Sequence, residues 1–245
     1  MSGKLAGRTA VVTGASRGIG FAIARRFVAE GAEVVITGRD KAALDAAVAE
    51  LGDQVTAVRA DSTDVADLEA AFEAVRERHG RIDVLVVNSG TGKLAPIGEI
   101  TEADVDLVFG TNVKGTIFTV QNALPLLTDK ASVILVGSTA SRRVAPGQSV
   151  YGATKAAVRA LARGWMVDLA GRGIRVNVLS PGATQTQGLV DFLGADVVDQ
   201  MGPDFPLGRV GTPDEIAAVA AFLASDESAY VTGAEYFVDG GAVQN

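Results

Sequence analysis

The chain has 245 residues, enough for one large domain or two small ones with a substantial core. Its formal net charge of −7 argues against a nucleic-acid partner, because binding to phosphate backbones needs a basic surface. It contains no cysteine and a single histidine, which excludes disulfides and thiolate chemistry, so we expect no metal site. The first residues lack an apolar stretch of signal-peptide form, and no run of about 18 apolar residues occurs. We therefore expect a cytoplasmic protein without a membrane partner.

Short runs of β-branched residues alternate with Ala-rich amphipathic segments along almost the whole chain. The predicted strands are 9–13, 33–37, 54–60, 82–88, 132–138, 174–180 and 235–241. The predicted helices include 19–30, 41–51, 65–80, 149–164 and 212–225. This alternation predicts an α/β fold, a Rossmann-type doubly wound parallel sheet of about seven strands with helices on both faces. No linker divides it, so residues 1–245 are expected to form a single domain.

The first predicted strand leads directly into the glycine-rich turn TGASRGIG at residues 13–20. Gly14, Gly18 and Gly20 let the backbone come close to a pyrophosphate, and the following helix N-terminus offers free N–H groups. A turn that only packs tightly on the sheet would use the same glycines. Its position after the first strand of an alternating chain nevertheless favours dinucleotide binding.

The spacing T-G-x-x-x-G-x-G resembles the cofactor turn of the short-chain dehydrogenase/reductase family, and the resemblance, in particular to 3-oxoacyl carrier-protein reductases, covers nearly the whole chain. The cofactor contacts that it implies are Gly14, Ser16, Arg17, Gly18, Ile19, Gly20, Arg39, Asp61, Ser62, Asn88, Ser89, Gly90, Tyr151, Lys155, Pro181, Gly182, Thr184 and Thr186. Asp61 fits either a contact to adenine or the cap of the next helix.

The end of the second strand, ITGRD, bears on which nicotinamide cofactor is bound. NAD-type sites place an acid there to bind the ribose 2′-OH, whereas this chain has Gly38 followed by Arg39. Arg17 lies in the glycine turn, and two guanidinium groups suit a 2′-phosphate. Asp40 is expected to cap the following helix instead. The pattern favours NADP(H) over NAD(H).

The segment SVYGATKAAVRALARG at 149–164 places Tyr151 and Lys155 four residues apart on one helical face. We expect the Lys155 ammonium and a positively charged nicotinamide ring to lower the pKa of the Tyr151 phenol from about 10, which suits proton exchange with a carbonyl/alcohol pair. The resemblance implies a catalytic tetrad with Asn112 and Ser138. Ser138, at the end of a strand, would position the carbonyl, and Lys155 would also bind the nicotinamide ribose. Asn112 would hold a water that links Lys155 to solvent.

Residues 187–207 break the βαβ rhythm and resemble the family's substrate-covering lid. The apolar residues Leu189, Phe192, Leu193 and Met201 fit either an inner face of this lid or packing on the core. We expect the substrate to contact Ser138, Gln148, Tyr151 and Leu189. Arg142 and Arg143 fit either a solvated surface or contact with an acidic substrate or carrier.

The predicted function is an NADP(H)-dependent oxidoreductase that interconverts a carbonyl and a secondary alcohol, with a small-molecule substrate of the 3-oxoacyl type or another ketone. The alternative is a regulatory protein that binds a dinucleotide or nucleotide on the same fold without turnover. The resemblance further implies a homotetramer, or a homodimer, in which the helices bearing Asn112 and Tyr151 pack against partner helices. Trp165 is expected in packing or a subunit contact.

Overall fold

A computed structural model describes residues 3–243, so residues 1–2 and 244–245 of the predicted domain lie outside the described part. Seven parallel strands form one sheet in the order β3-β2-β1-β4-β5-β6-β7. The strands are β1 (Thr9–Thr13), β2 (Glu33–Gly38), β3 (Val55–Arg59), β4 (Ile82–Val87), β5 (Leu127–Val136), β6 (Arg175–Pro181) and β7 (Glu235–Val238). The predicted fold class is confirmed.

Helices cover both faces of the sheet. They are α1 (Gly18–Ala29), α2 (Lys41–Leu51), α3 (Val65–His79), α4 (Glu102–Phe109), α5 (Gly115–Ala123), α6 (Ser149–Asp168), α7 (Gln187–Leu193), α8 (Ala195–Gln200) and α9 (Pro213–Ala224). One hydrophobic core lies between the sheet and α1, α2 and α9, and a second lies between the sheet and α3, α5 and α6. Within residues 3–243, no helix combines the length and apolar character needed to span a membrane.

The strands are apolar on both faces because both faces are covered. Val11 points into the second core and Val12 into the first, since successive side chains of a strand alternate between faces. All seven residues of β6 are buried, including Asn177, whose amide donates to the carbonyl of Val231 at 2.9 Å. Full burial of each such Val, Leu or Ile side chain stabilises the fold by about 1.5–3 kcal/mol.

Polar caps define where several helices begin. The Asp40 carboxylate accepts hydrogen bonds from two backbone N–H groups in the first turn of α2, at 2.9 and 3.2 Å, as the sequence predicts. Of the two roles that the sequence allows for Asp61, the cap of α3 is wrong. Asp64 caps that helix, because it stands immediately before the first helical residue, whereas Asp61 lies one turn upstream.

The strand order reverses between β1 and β4, which creates a crevice at the carboxyl edge of the sheet. The turns after β1, β4, β5 and β6 all open onto this edge. β5 ends at Val136, so Ser138 does not lie in the strand as predicted; it caps a short 3-10 turn, Thr139–Ser141. Helix α6 continues past Gly164 to Asp168. The fold thus brings four loops to one place.

Candidate active site

The turn after β1 packs closely on the loop after β4. Gly14 has a positive φ of 62°, and a Cβ atom there would lie 3.0 Å from the Cα of Ser89. A Cβ at Gly20 would lie 2.5 Å from the Asn88 amide nitrogen, which donates to the carbonyl oxygens of Thr13 and Gly14 at 3.0 and 2.9 Å. Any larger side chain at either glycine would separate the two loops, so these glycines fix the shape of the crevice.

The N-terminus of α1 suits a phosphate group. Arg17 stands at the N-cap position with extended backbone, and no described side chain caps this helix. The N–H groups of the first turn of α1 therefore keep their donor capacity, and they form the positive end of the helix dipole. A pyrophosphate fits such a site, and the observation supports a dinucleotide in the crevice.

A cavity of about 1210 Å³ runs from this turn to the 187–207 segment. The predicted cofactor residues that line it are Arg17, Ile19, Arg39, Asn88, Gly90, Tyr151, Lys155, Pro181, Gly182, Thr184 and Thr186. The predicted substrate contacts Ser138, Gln148 and Leu189 line it too. Among the described residues, the predicted contacts outside the lining are Gly14, Ser16, Gly18, Gly20, Asp61, Ser62 and Ser89.

Positive charge dominates the end of the cavity next to β2. Arg17 and Arg39 are both exposed, and Gly38 places no carboxylate at the strand end. The nearby Asp61 carboxylate accepts from the N–H and the hydroxyl of Thr63 at 2.9 and 2.8 Å. Burial raises the pKa of the Asp61 carboxyl. The Thr63 hydrogen bonds and the charges of Arg39 and Arg59 together outweigh burial and hold this pKa below its usual value. Asp61 therefore stays ionised beside Arg39.

Tyr151 and Lys155 face the cavity from α6, as their spacing predicts. The Lys155 amine lies 5.8 Å from the centre of the Tyr151 ring and donates to the carbonyl of Val136 at 2.9 Å. Lys155 is buried, and the loss of hydration of its ammonium lowers its pKa to about 8. The Ser138 hydroxyl lines the same cavity and accepts from the N–H of Ala140 at 3.1 Å.

The expected lowering of the Tyr151 pKa does not come from the protein itself. Burial raises the pKa of Tyr151 above 10, and the hydrogen bond with Ser138 opposes this shift. Lys155 does not reverse the shift, because its amine donates to the carbonyl of Val136 instead of to the phenol oxygen. The expectation that Lys155 lowers the phenol's pKa is therefore corrected.

Asn112 lies close to Lys155, in a short π-helix (Gly110–Lys114) that joins α4 to α5. Its side-chain oxygen accepts from the N–H of Thr91 at 2.8 Å. Its amide donates to the Thr91 carbonyl at 2.8 Å and to the Thr154 hydroxyl at 3.0 Å. Asn112 thus ties the loop after β4 to α6. Neither threonine is singled out by the sequence, although Thr154 stands next to Lys155 in the YGATK motif.

The 187–207 segment forms α7, α8 and a short 3-10 turn over the cavity. Its apolar residues Leu189, Phe192, Leu193 and Met201, together with Phe205, line the cavity. The Phe192 ring lies 6.1 Å from the Tyr151 ring, centre to centre, and occupies the space above Gly92. The inner apolar face allowed by the sequence is present in the structure.

The remaining residues singled out by the sequence lie in three places: the cavity, the surface and the second hydrophobic core. Arg143 lines the cavity and donates to the carbonyl of Ala242 at 3.2 Å, whereas Arg142 lies over the Phe237 ring at 5.7 Å. Trp165 packs against the second hydrophobic core, as expected. Ala242 also lines the cavity, and no sequence motif indicates it.

Comparison with known proteins agrees with this geometry. The family model described as enoyl-(acyl carrier protein) reductase matches residues 14–243. A structure described as short-chain dehydrogenase/reductase SDR:glucose/ribitol dehydrogenase from Brucella melitensis superimposes with a TM-score of 0.94 and 37% identity, covering 99% of each chain. The chain belongs to the short-chain dehydrogenase/reductase family.

Two relatives are similar to the chain over almost its whole length. Oxidoreductase asL5 of Sarocladium schorii is 49% identical over 243 residues, which cover 98% of each chain. The 3-oxoacyl-[acyl-carrier-protein] reductase FabG of Thermotoga maritima is 38% identical over 245 residues, covering 98% of this chain and 99% of FabG. As a short-chain dehydrogenase/reductase, the protein is an oxidoreductase that acts between CH–OH and C=O with a nicotinamide dinucleotide.

Proposed function

We propose that the protein is an NADP(H)-dependent reductase that interconverts a ketone and a secondary alcohol, with Tyr151 as the general acid and base. One observation carries the proposal: a single cavity joins Arg17 and Arg39 at one end to Ser138, Tyr151 and Lys155 at the other. The first pair suits a phosphate and the second set suits a carbonyl oxygen. A dinucleotide that spans such a cavity brings the two together.

The preference for NADP(H) rests on the charges at the β2 end of the cavity. Within residues 3–243, neither Arg17 nor Arg39 forms an ion pair, so both guanidinium groups retain their donors. The Asp40 carboxylate caps α2 through one of its oxygens, a role in the helix that accounts for an acid at this position without a ribose 2′-OH. Two arginines can hold a 2′-phosphate with charge-assisted hydrogen bonds.

The pyrophosphate would lie at the N-terminus of α1, beside Gly18 and Ile19. The ribose and nicotinamide would lie along Asn88, Gly90, Lys155, Pro181, Gly182 and Thr186. Ser16, Asp61, Ser62, Ser89 and Thr184 complete the proposed cofactor contacts. When bound, the nicotinamide supplies the hydride for the carbonyl carbon, and its oxidised form carries a positive charge.

The protein's own groups would handle the oxygen and its proton. The Ser138 hydroxyl is held in place by its cap on the 3-10 turn and would donate to the substrate carbonyl. Tyr151 would deliver its proton to the same oxygen, and its raised pKa keeps the phenol protonated for the reduction direction. Lys155 and Asn112 would return the proton from solvent. The position of Asn112 behind Lys155 supports this relay.

The apolar residues of the lid favour a substrate with an apolar part next to its carbonyl. Leu189, Phe192 and Met201 supply the apolar wall, and Gln148 supplies a polar contact on the opposite side. A 3-oxoacyl thioester or another apolar ketone fits such a wall. Arg143, at the rim, suits a substrate or carrier with an acidic group.

We also propose a cytoplasmic homotetramer. The support for assembly is the exposure of large apolar side chains on the α4 and α6 helices, where Leu107, Phe109 and Val167 are 45%, 39% and 66% exposed. Partner helices on these faces would cover them. Size-exclusion chromatography with light scattering tests this assembly directly.

The proposed activity is tested by following NADPH consumption, with NADH in parallel, against ketones, 3-oxoacyl thioesters and diketones. Tyr151→Phe serves as the control, because it removes only the phenol oxygen. Turnover with NADPH that Tyr151→Phe abolishes would support the proposal. Faster turnover with NADH would refute the cofactor assignment, and tight NADPH binding with no turnover across the panel would refute the ketone-reductase assignment.

A further inference from the structure

A carboxylate outside the cavity connects the elements that form its catalytic end. Glu235 opens β7, and its side chain is only 11% exposed. One carboxylate oxygen accepts from the hydroxyls of Ser141 and Ser180, at 2.9 and 2.7 Å. The other oxygen lies 3.4 Å from the Arg159 guanidinium. Three side chains from three other segments therefore meet at the Glu235 carboxylate.

Each of the three partners is attached to a segment that holds a proposed site residue. Ser141 ends the 3-10 turn that Ser138 caps. Arg159 lies on α6, four residues after Lys155. Ser180 lies on β6, directly before the proposed nicotinamide contacts Pro181 and Gly182.

The Ser180 hydroxyl also packs directly against the backbone that leads to Ser138. A Cβ atom at Gly137 would clash with the Ser180 oxygen, so the hydroxyl takes the space that this glycine leaves. Gly137 donates its backbone N–H to the carbonyl of Leu179 at 2.8 Å. The Glu235 carboxylate thus orients a hydroxyl that itself supports the chain at Ser138.

A carboxylate in this place has an energetic cost that an apolar residue would avoid. Burying a charge is unfavourable unless hydrogen bonds and an opposite charge compensate. The other side chains of β7, Tyr236, Phe237 and Val238, are ordinary strand residues. A network of satisfied polar groups fixes one geometry more strictly than apolar packing, which tolerates rearrangement.

We propose that Glu235 is a positioning residue of the active site, which sets the place of the Ser138 turn relative to α6 and to the end of β6. The inference rests on the proposed function, because it takes Ser138, Tyr151 and Lys155 as the reacting groups. Glu235 does not touch the cavity, so it acts through Ser141, Ser180 and Arg159.

The test compares Glu235→Ala with Glu235→Gln. The amide oxygen of Gln can still accept from both serines, whereas Ala removes the acceptor and leaves Arg159 unpaired. Glu30→Ala is the matched control. Glu30 is also mostly buried and bound to an arginine, Arg26, at 2.9 Å, but it lies at the end of α1 away from the cavity.

We expect Glu235→Ala to lower kcat for the best ketone of the panel by roughly 10- to 100-fold, because small misplacements of reacting groups cost that much. The dissociation constant for NADPH, measured by fluorescence titration, should rise by less than kcat falls, because Pro181 and Gly182 shift while the contacts at the glycine turn and Arg39 stay in place. Glu235→Gln should recover most of the lost kcat. Glu30→Ala should lose thermal stability without a change in kcat.

Hydrogen–deuterium exchange gives a readout that needs no substrate. In Glu235→Ala, exchange should rise in peptides covering residues 137–143 and 180–184 and stay unchanged in the peptide covering 13–20. Unchanged exchange in the first two peptides, or a kcat that falls no more than in Glu30→Ala, would overturn the inference. If the unaltered protein reduces no ketone while exchange rises as expected, the proposed function fails and the positioning by Glu235 stands.

Discussion

The Lys155 amine lies within 5.8 Å of the Tyr151 ring centre but donates its hydrogen bond to the carbonyl of Val136. The amine therefore faces the Tyr151 ring and makes no hydrogen bond to the phenol oxygen. The same burial that brings them together raises the pKa of Tyr151 and lowers that of Lys155 to about 8. Both shifts act against the charged forms.

The first prediction concerns the pH dependence of carbonyl reduction. Tyr151 must be protonated to act as an acid, and its raised pKa keeps it so across the neutral range. Lys155 loses its charge as the pH rises through about 8. We expect kcat for reduction to be constant below this pH and to fall above it, as measured by NADPH consumption.

Lys155→Arg is the control for this assignment, because a guanidinium stays charged throughout the range. Whatever activity this variant retains should show no fall near pH 8. A fall at the same pH in Lys155→Arg would assign the titration to another group.

The second prediction is that Lys155→Met stabilises the protein while it abolishes activity. The pKa of Lys155 is about 8 in the folded state, against the 10.5 that is usual for a lysine amine. Below pH 8 the folded state therefore carries a buried charge whose cost is on the order of 3 kcal/mol. The loss of the hydrogen bond to Val136 offsets about 1 kcal/mol of the gain.

The free energy of unfolding, from urea titrations across pH, measures this effect. At pH 7 we expect Lys155→Met to be more stable by roughly 1–3 kcal/mol. The difference should shrink as the pH rises from 8 towards 10.5, because the proton that Lys155 must then lose on folding costs less to remove at higher pH. A variant that is less stable at pH 7 would contradict the low pKa.

The third prediction concerns cofactor choice. Arg39→Ala removes one of the two guanidinium groups at the β2 end of the cavity. Loss of a charge-assisted hydrogen bond to a 2′-phosphate should raise the KM for NADPH by roughly 10- to 100-fold and leave the KM for NADH nearly unchanged. Arg59→Ala is the matched control, since Arg59 is exposed but pairs with Asp67 at 3.6 Å. Equal effects on both cofactors would argue against a bound 2′-phosphate.

The fourth prediction concerns the contact between the lid and the loop after β4. A Cβ atom at Gly92 would lie 2.9 Å from the edge of the Phe192 ring. Gly92→Ala should displace the ring and raise the KM for the ketone, with little change in thermal stability because the ring can move. Phe192→Ala should raise the same KM by removing the wall.

The double variant, Gly92→Ala with Phe192→Ala, tests whether the two single changes raise the KM for the ketone through the same contact. With the ring absent, Gly92→Ala has nothing to displace, so the two changes together should cost no more than Phe192→Ala alone. Gly164→Ala is the control, because a Cβ there would meet no atom within 4 Å. Additive effects on KM would show that Gly92 acts independently of Phe192.

The alternation of apolar runs determined the sheet and its class. Strands such as β1 and β4 are short, mostly apolar runs followed by glycine or asparagine, so their type and place along the chain follow from local pattern. The same holds for the cap at Asp40, because a cap is a contact between residues two or three apart. Tyr151 and Lys155 share a face for the equally local reason that a helix has 3.6 residues per turn.

Only the tertiary structure decided contacts between distant segments. The packing of Phe192 over Gly92, the bonds of Asn112 to Thr91 and Thr154, and the convergence on Glu235 join residues that are far apart in the chain. An acidic residue in the strand segment GAEYFV was the one local sign of that last network. The pKa of Tyr151 was likewise set by burial and by its hydrogen bond with Ser138. Spacing along a helix fixes which residues are neighbours, but the direction of a hydrogen bond depends on every group packed around it.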